Sequence, residues 1–459
     1  MTGNQARSDA SFYGLLALVL IAPIPFGAVM PWAWLPLSMA SGLLLLGFSS
    51  FRLLRRETPA VSIRSLRVPL GLMAIVMAWA VVQILPSPAA SLAHPVWAEA
   101  SLALGKTLTS SISATPDRGF DILLRWLSCM AVFWLALNHG RKSQNTRRLL
   151  LAVAISAAIS AAYGLWAETS GAKTVLGVAK TQYIDSLTGT FINKNHAATF
   201  FGFGILCAMS LLLMSIGSIP KILGPSEKMR MLGQRLSGKH LIPPAALVLL
   251  VPALLMTDSR AGVVLTFLAT AFLVIAARLT RSISRNVFLA MLALVLLPAF
   301  LLLAFGGGTS LAERFGFFGQ DWDVRMNIYK TTMEAIADAP FIGTGLGSFP
   351  DIFRLHHDGG ITSAVTQAHN VYLELALELG IPAAILMLIA CAWPALRCAA
   401  GMARRQQNRL LPATGAAVAL LAATHSAFDF SLQMPGLALV FWAIMGACAA
   451  QGWSTRKSI

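Results

Sequence analysis

The sequence predicts an all-α integral membrane protein with about twelve transmembrane helices and one large periplasmic loop that contains short helices. Two observations support this prediction. Hydrophobic residues make up 56% of the 459 positions and charged residues only 12%, whereas soluble domains hold roughly 25% charged residues. The mean hydropathy is +0.70, and the apolar residues are gathered in runs that are long enough to cross a bilayer.

These apolar runs recur along the whole chain, so we expect a single polytopic membrane domain over residues 1–459. A helix needs about 20 apolar residues to cross roughly 30 Å of hydrocarbon. Runs of this kind lie at 12–30, 31–50, 68–86, 119–138, 149–167, 196–217, 240–257, 261–278, 286–305, 371–395, 411–428 and 434–451.

Lysine and arginine residues concentrate in alternate loops between the predicted spans. Such clusters follow the second and fourth spans, at 52–67 and 141–148, and recur after the later even-numbered spans. The positive-inside rule makes this side cytoplasmic and places both termini there. The formal net charge of +16 therefore reports membrane topology, and we expect no nucleic acid as a partner.

The largest connection, residues 306–368, is predicted to be periplasmic. A loop of this length is usually either functional or disordered, and its content favours order. The stretch RMNIYKTTMEAIAD (325–338) has apolar residues at helical spacing, and PFIGTGLGSFP (340–350) is typical of a glycine-rich turn. The same topology places the unusual polar residues of the chain at the periplasmic mouths of the spans.

The stretch TQAHNVYLELALELG (366–380) places ionisable groups where a membrane helix begins. Such groups are costly at membrane depth and usually take part in function. Asn370, Glu374 and Glu378 share one helix face. His369 lies at the aqueous end, where an imidazole titrates near neutral pH and can act as a general base. The alternative is an interfacial histidine, an asparagine cap and glutamates paired inside the bundle.

Two arginines are candidates for binding an anion. Arg260, in the stretch TDSRAG, lies in a tight turn between the seventh and eighth spans. A guanidinium keeps its charge and can hold a diphosphate bidentately, although Asp258 or a lipid headgroup is an alternative partner. Arg325 in the large loop is a second candidate, and the alternative for it is an ion pair with Asp321 or Asp323.

Two further polar groups lie at the same predicted side. The sixth span opens with NKNH, which comprises Asn193, Lys194, Asn195 and His196. Because helix amino termini favour anions, we expect phosphate or sugar binding here, while plain capping explains one asparagine. His425 and Asp429 are four residues apart near the outer end of the eleventh span, where they either pair with each other or line a shared cavity.

Together these stretches resemble the O-antigen ligase and O-antigen polymerase family of bacterial membrane glycosyltransferases, which use polyprenyl-diphosphate-linked glycans. The matching features are GTFINKNHAATF, SRAG, an arginine in the large loop followed by PFIGTGLGSF, then AHNVYLELALELGIPAA and HSAFDFSLQMP. The resemblance marks residues 185–435 as the family-like catalytic region. The first four spans match only as hydrophobic helices.

The resemblance implies a metal-independent glycosyltransferase without a cofactor, in the bacterial inner membrane, with its active face in the periplasm. His369 is then expected to deprotonate the acceptor hydroxyl, while Arg260 and Arg325 hold the diphosphate. Beyond the DWD at 321–323, the chain has no acidic cluster of the kind that binds a metal. The expected substrate-binding residues around this centre are Asn193, Lys194, Asn195, His196, Asn370, Tyr372, Glu374, His425 and Asp429.

The sequence leaves the acceptor open. A polymerase extends a second lipid-linked glycan in exopolysaccharide or O-antigen synthesis, a ligase acts on the lipid A core of lipopolysaccharide, and a related group glycosylates protein hydroxyls. The FINKNH and HSxxDF details favour an exopolysaccharide polymerase. The expected partners are a polyprenyl-diphosphate-linked glycan donor, a glycan or lipid A core acceptor, the lipid bilayer and other proteins of a polysaccharide assembly system.

A function of another class also fits the topology. A chain of twelve spans can be a non-enzymatic polysaccharide transporter or exporter. Transporters tend to have repeated halves and binding sites near the membrane midplane. In this sequence the polar residues instead gather at one predicted mouth of the spans, which favours the enzyme.

Overall fold

The computed structural model describes residues 3–87, 89–217, 224, 227, 230–231, 233, 238–305, 318–357 and 365–453. Two parts of the predicted large loop, 306–317 and 358–364, lie outside the described residues. The described parts confirm the all-helical prediction, with one small exception. A two-stranded antiparallel hairpin, β1 (Thr174–Val175) and β2 (Val178–Ala179), follows the sixth helix.

Sixteen α-helices occur in the described ranges. They are α1 (Gly3–Ile21), α2 (Pro31–Leu54), α3 (Arg67–Ile84), α4 (Val96–Leu104), α5 (Pro116–His139), α6 (Ser143–Thr169), α7 (Lys194–Gly217), α8 (Ile242–Leu255), α9 (Arg260–Leu279), α10 (Arg285–Phe305), α11 (Phe318–Asp338), α12 (Phe349–His356), α13 (Val371–Leu379), α14 (Ile381–Arg404), α15 (Leu410–His425) and α16 (Pro435–Ala450). Short 3-10 turns lie at Phe26–Ala28, Ile63–Leu66, Ala90–Leu92, Gly238–Leu241 and Ser431–Gln433.

Seven segments of the described chain are long and apolar enough to cross a membrane, which confirms a multi-pass membrane protein. They are Pro31–Leu54, Ile63–Ile84, Pro116–His139, Ser143–Thr169, Lys194–Gly217, Arg260–Leu279 and Ile381–Arg404. Shorter apolar helices lie at Ala10–Ile21, Ile242–Leu255, Arg285–Val295, Leu410–His425 and Pro435–Ala450, where further spans are predicted. The count of twelve and the periplasmic position of the large loop stay predictions.

The main core forms where α5, α6, α7, α9, α15 and α16 pack against one another. Small residues allow membrane helices to approach closely. A Cβ on Gly446 of α16 would lie only 2.4 Å from the carbonyl oxygen of Phe133 in α5, so these two helices meet backbone to backbone. Large apolar side chains on α2 and α14, such as Leu43 and Leu396, are exposed, as expected of surfaces that face lipid.

A smaller hydrophobic cluster joins α11, α12 and α13. It contains Ile328 and Tyr329 of α11, Phe349 and Phe353 of α12, and Leu377 of α13. The helix predicted over 325–338 is therefore confirmed as part of α11, and it packs on the bundle through this cluster. In this way the described part of the large loop is held beside the start of α13.

The predicted span at 371–395 is divided into α13 and α14 by Gly380. This residue has φ +80° and ψ 153°, a backbone conformation that is accessible mainly to glycine. A Cβ at Gly380 would lie 2.3 Å from the carbonyl oxygen of Phe341, so the predicted glycine-rich turn at 340–350 packs directly against the break. As a result, α13 lies outside the candidate span Ile381–Arg404.

Candidate active site

Three helices begin, and a fourth ends, at one place in the structure. Ser259 caps α9, and its hydroxyl donates to Oδ1 of Asn195 in the first turn of α7, at 2.8 Å. The amide of Val371, the first residue of α13, donates to the carbonyl oxygen of Ser426 just after α15, at 2.9 Å. Helix amino termini carry partial positive charge, so the convergence of α7, α9 and α13 favours a negatively charged group.

The carboxylate of Asp429 lies at the centre of this convergence and is 1% exposed. Its Oδ1 accepts a hydrogen bond from Nδ2 of Asn195 at 3.1 Å, and its Oδ2 accepts one from the hydroxyl of Ser431. Because Asn195 also accepts from Ser259, its amide connects the start of α9 to Asp429. The two bonds also fix which end of the Asn195 amide faces which partner.

Three histidines surround Asp429. Nε2 of His196 lies 3.8 Å from Oδ2, and Nδ1 of His369 lies 4.0 Å from Oδ1. Both imidazoles pack edge-on against the ring of Phe430, with centroids 4.8 and 5.1 Å away. Nε2 of His425, Nε2 of His196 and Nδ1 of His369 are buried and have no hydrogen-bond partner within the described part of the chain, so the centre holds three buried imidazole nitrogens with unused bonding capacity.

His425 is joined to the same centre through hydroxyl groups. Its Nδ1 lies 2.6 Å from the hydroxyl of Thr199. Thr199 in turn donates to the hydroxyl of Ser431 at 3.0 Å, and Ser431 donates to Asp429. His425 and Asp429 are therefore linked by hydrogen bonds through the side chains of Thr199 and Ser431.

The backbone holds His369 in a strained position. Its φ is +52°, a conformation that costs a non-glycine residue about 1 to 3 kcal/mol and that clusters at functional sites. The hydroxyl of Tyr329 lies 3.1 Å from the carbonyl oxygen of His369 and 3.2 Å from that of Ala427. The side chain of Asn370 then caps α13 by accepting hydrogen bonds from the amides of Tyr372 and Leu373. His369 thus precedes the helix instead of lying on its surface.

The electrostatic environment keeps His369 neutral and Asp429 charged. Burial lowers the pKa of His369 below its usual value, Asp429 acts in the opposite direction, and Arg325 lowers the pKa further. Burial by itself raises the pKa of the Asp429 carboxyl, but His196, His425, Ser431 and His369 outweigh burial, so this pKa lies below its usual value. At neutral pH an unprotonated imidazole therefore faces a carboxylate.

The two predicted arginines, Arg325 and Arg260, are linked to this centre in different ways. Nη1 of Arg325 donates to the carbonyl oxygen of Phe428 at 2.7 Å, directly beside Asp429. Arg260 is exposed and is the first residue of α9, so it follows Ser259, whose hydroxyl bonds Asn195. Arg325 is thus a direct neighbour of the centre, and Arg260 is connected to it through the α9 cap.

The remaining residues predicted from NKNH have local partners. Oδ1 of Asn193 accepts from the backbone amide of Asn195 at 2.8 Å, which is the capping interaction that accounts for one asparagine. Nζ of Lys194 lies 5.6 Å from the ring centroid of Tyr183 and is half-buried. Asn195 and His196 are therefore the two members of this group that contact Asp429.

Tyr372 and Glu374 hold the start of α13 in place. The hydroxyl of Tyr372 donates to the carbonyl oxygen of Ala423 in α15 at 2.7 Å. The buried carboxylate of Glu374 accepts from the amide of Ala368 at 3.0 Å, immediately before His369. These two contacts lie within the protein and position the loop that carries His369.

Three hydroxyl groups of the centre were not among the residues singled out from the sequence, namely those of Thr199, Ser259 and Ser431. Each lies in a stretch that also contains a predicted site residue, namely GTFINKNHAATF, TDSRAG and HSAFDFSLQMP. The signal for Thr199 was available, because it follows Asn195 by four residues and therefore shares its helix face. No comparable spacing marks Ser431, which reaches Asp429 only because the chain turns between α15 and α16. Among the described residues, no group of three or more histidine, cysteine, aspartate or glutamate side chains is arranged to hold a metal ion.

Comparison with known proteins identifies part of this chain. Residues 245–388 match a family model described as O-antigen ligase, which is less than half of the chain. No curated protein matches the chain. Arg260, Arg325 and His369 lie inside the matched segment, whereas the parts of the centre that come from α7 and from the end of α15 lie outside it. The match supports the resemblance to the O-antigen ligase/polymerase family over residues 245–388.

Proposed function

We propose that the protein transfers or polymerises a glycan from a polyprenyl-diphosphate donor onto an acceptor hydroxyl, in the synthesis of a surface polysaccharide such as an exopolysaccharide or O-antigen. The observation that carries this proposal is the placement of a half-buried, neutral imidazole at His369 beside the guanidinium of Arg325 and the carboxylate of Asp429. A neutral imidazole is the form that accepts a proton.

The proposed reaction divides its charges between these groups. The acceptor hydroxyl loses its proton to His369, and its oxygen forms a bond to the anomeric carbon of the donor sugar. The bond from that carbon to the diphosphate oxygen breaks, and the electron pair stays on the diphosphate. Arg260 and Arg325 hold this leaving group, because a guanidinium fork matches phosphate oxygens and stabilises the charge that develops on them. The role proposed for the protein needs no metal or cofactor.

The convergence of helix amino termini supports a diphosphate at this place. The starts of α7, α9 and α13 meet around the centre, and backbone amides at such starts bind phosphate. Asn193, Lys194, Asn195, His196 and Asn370 lie at or beside these starts. We propose that these residues bind the donor headgroup and its sugar, and that Tyr372, Glu374, His425 and Asp429 shape the same site.

The site is proposed to face the periplasm, in the inner membrane, with both termini in the cytoplasm. The distribution of basic residues supports this orientation, because arginine and lysine are retained on the cytoplasmic side. We expect a reporter protein fused after residue 340 to report a periplasmic location, and one fused after residue 146 to report a cytoplasmic location. The opposite pattern would place the site on the cytoplasmic face and contradict the proposal.

The function is tested directly with purified protein in lipid vesicles that contain a defined polyprenyl-diphosphate oligosaccharide. We expect longer lipid-linked glycan chains, which identify a polymerase. Transfer only to added lipid A core would instead identify a ligase. No covalent product, combined with movement of the glycan across the vesicle membrane, would identify a transporter or exporter and would overturn the proposed enzyme.

A further inference from the structure

We propose that Asp429 is the positioning residue of the base: it holds His369 as the tautomer that is protonated at Nδ1, which leaves Nε2 free to accept the proton of the acceptor. This inference rests on the proposed function, since it names a group that acts through His369. It assigns Asp429 a role on the base and takes it out of direct contact with the glycan, where its burial would make such contact difficult.

The hydrogen-bonding capacity of the carboxylate supports this role. An ionised carboxylate accepts about four hydrogen bonds. Asp429 receives two, from Asn195 and Ser431. Nε2 of His196 lies 3.8 Å from Oδ2 of Asp429 and Nδ1 of His369 lies 4.0 Å from Oδ1, and both nitrogens are buried and have no hydrogen-bond partner among the described residues. Two remaining acceptor sites therefore face two nitrogen atoms that each need a partner.

The distances fit a site that closes when its substrate binds. At 4.0 Å the His369 contact is too long for a hydrogen bond, which needs about 2.7 to 3.2 Å. Catalytic hydrogen bonds are often long in the substrate-free state and shorten in the reacting complex. A shift of about 1 Å is enough to form the bond.

The tautomer determines which nitrogen is the base. A neutral imidazole has one N–H donor and one acceptor nitrogen, and a carboxylate can only accept. Nδ1 of His369 must therefore carry the hydrogen when it faces Asp429. Since Nδ1 is buried while the side chain as a whole is 28% exposed, the exposed part of the ring lies away from Nδ1, and the acceptor reaches Nε2.

The charged and titratable groups around His369 come from five elements. They are Asp429 from the turn after α15, His425 from α15, His196 from α7, Arg325 and Tyr329 from α11, and Glu374 from α13. Asp429 raises the pKa of His369, and burial and Arg325 lower it. Removing the carboxylate therefore lowers this pKa. The acid limb of the pH–rate profile, where the rate falls because His369 becomes protonated, then moves to lower pH.

A first test needs neither a variant of Asp429 nor activity. Protein labelled with ¹⁵N-histidine is placed in lipid nanodiscs without substrate, and solid-state NMR at neutral pH distinguishes the two tautomers by their ring nitrogen shifts. Comparison with His369→Gln assigns the His369 signals among the 8 histidines. We expect protonation at Nδ1. Protonation at Nε2 overturns the proposal, and does so without bearing on glycan transfer.

A second test compares Asp429→Asn with Asp429→Glu. An amide can donate to Nδ1 as well as accept from it, so Asp429→Asn no longer selects the tautomer that is protonated at Nδ1. We expect kcat to fall about 10²-fold or more, with little change in the donor KM. The acid limb should move to lower pH in Asp429→Asn and stay near the wild-type position in Asp429→Glu, which keeps the charge. A purely structural role would reduce the amount of folded protein and leave the kcat of the folded fraction near the wild-type value, because loss of the charge moves the acid limb in either case.

Asp351→Asn is the matched control, because Asp351 bonds Arg118 at 2.7 Å at an exposed site away from the cluster. We expect it to keep the wild-type kcat and pH profile. If wild-type protein transfers glycan and His369→Ala does not, but Asp429→Asn retains the wild-type kcat, then the positioning role is wrong and the proposed function stands. If wild-type protein transfers no glycan, the proposed function fails, and the tautomer measurement still decides the inference.

Discussion

Substitution of His369 by alanine is expected to lower glycan transfer by about 10²- to 10⁴-fold, the usual contribution of a general base. The imidazole is neutral at neutral pH because burial lowers its pKa, so in the wild-type protein it is ready to take the acceptor proton. The measurement is the initial rate of product formation in vesicles, with the protein quantified after purification. We expect the affinity for the donor to change little, because Arg325 and the helix starts remain.

A control separates the loss of the base from the loss of the fold. His240 is exposed in the 3-10 turn before α8 and lies outside the cluster, so His240→Ala should transfer glycan at the wild-type rate. His369→Ala should insert into the membrane and purify in the same amount, because alanine keeps the backbone carbonyl that the hydroxyl of Tyr329 contacts. A His369→Ala protein that forms product at the normal rate would show that His369 is not the base.

Replacement of Arg325 by lysine is expected to reduce kcat/KM for the lipid-linked donor by about 10²-fold, within the range seen when one donor to a developing oxyanion is removed. Lysine keeps the charge but presents a single ammonium group, which cannot reproduce the planar fork. It also loses the geometry of the bond to the carbonyl oxygen of Phe428. Arg260→Lys should act in the same direction, and both effects are read from donor titrations in vesicles.

The comparison for these arginines is Arg354→Lys. Arg354 is exposed and pairs with Asp351 at 3.3 Å on α12, so the exchange should leave donor use unchanged. Unaltered kcat/KM in both Arg325→Lys and Arg260→Lys would contradict the assignment of these residues to the diphosphate. A fall in the Arg325 variant alone would restrict that assignment to the residue that neighbours Asp429.

Part of the site was predictable because its residues are close in sequence. His369 and Asn370 stand out in an apolar segment, and NKNH opens a span. Each group could therefore be identified from its spacing and from the free-energy cost of placing polar residues at membrane depth. Their mutual contacts could not. Asn195 and Asp429 are separated by 234 positions in the chain, and no periodic pattern in either segment specifies that one amide would bridge Ser259 and Asp429.

The division of the predicted tenth span shows the same limit at the level of the fold. Hydropathy predicts one continuous helix over 371–395, because both halves are apolar. Gly380 ends α13 because it adopts a positive φ and because the carbonyl of Phe341 packs closely against it in the folded protein. That break places α13 beside the cluster on α11 and α12 and sets His369 in front of the helix.

The sequence by itself determined that this is a helical membrane protein, and it indicated which polar residues are unusual enough to be functional. A single apolar run of about 20 residues can satisfy all its backbone hydrogen bonds within itself only as a helix, so local composition decides this much. Only the tertiary structure decided that Asp429 joins His369, His196 and Asn195 in one buried centre. The physical reason is that a buried carboxylate is stable only where hydrogen-bond donors surround it, and those donors come from helices that meet only in the folded bundle.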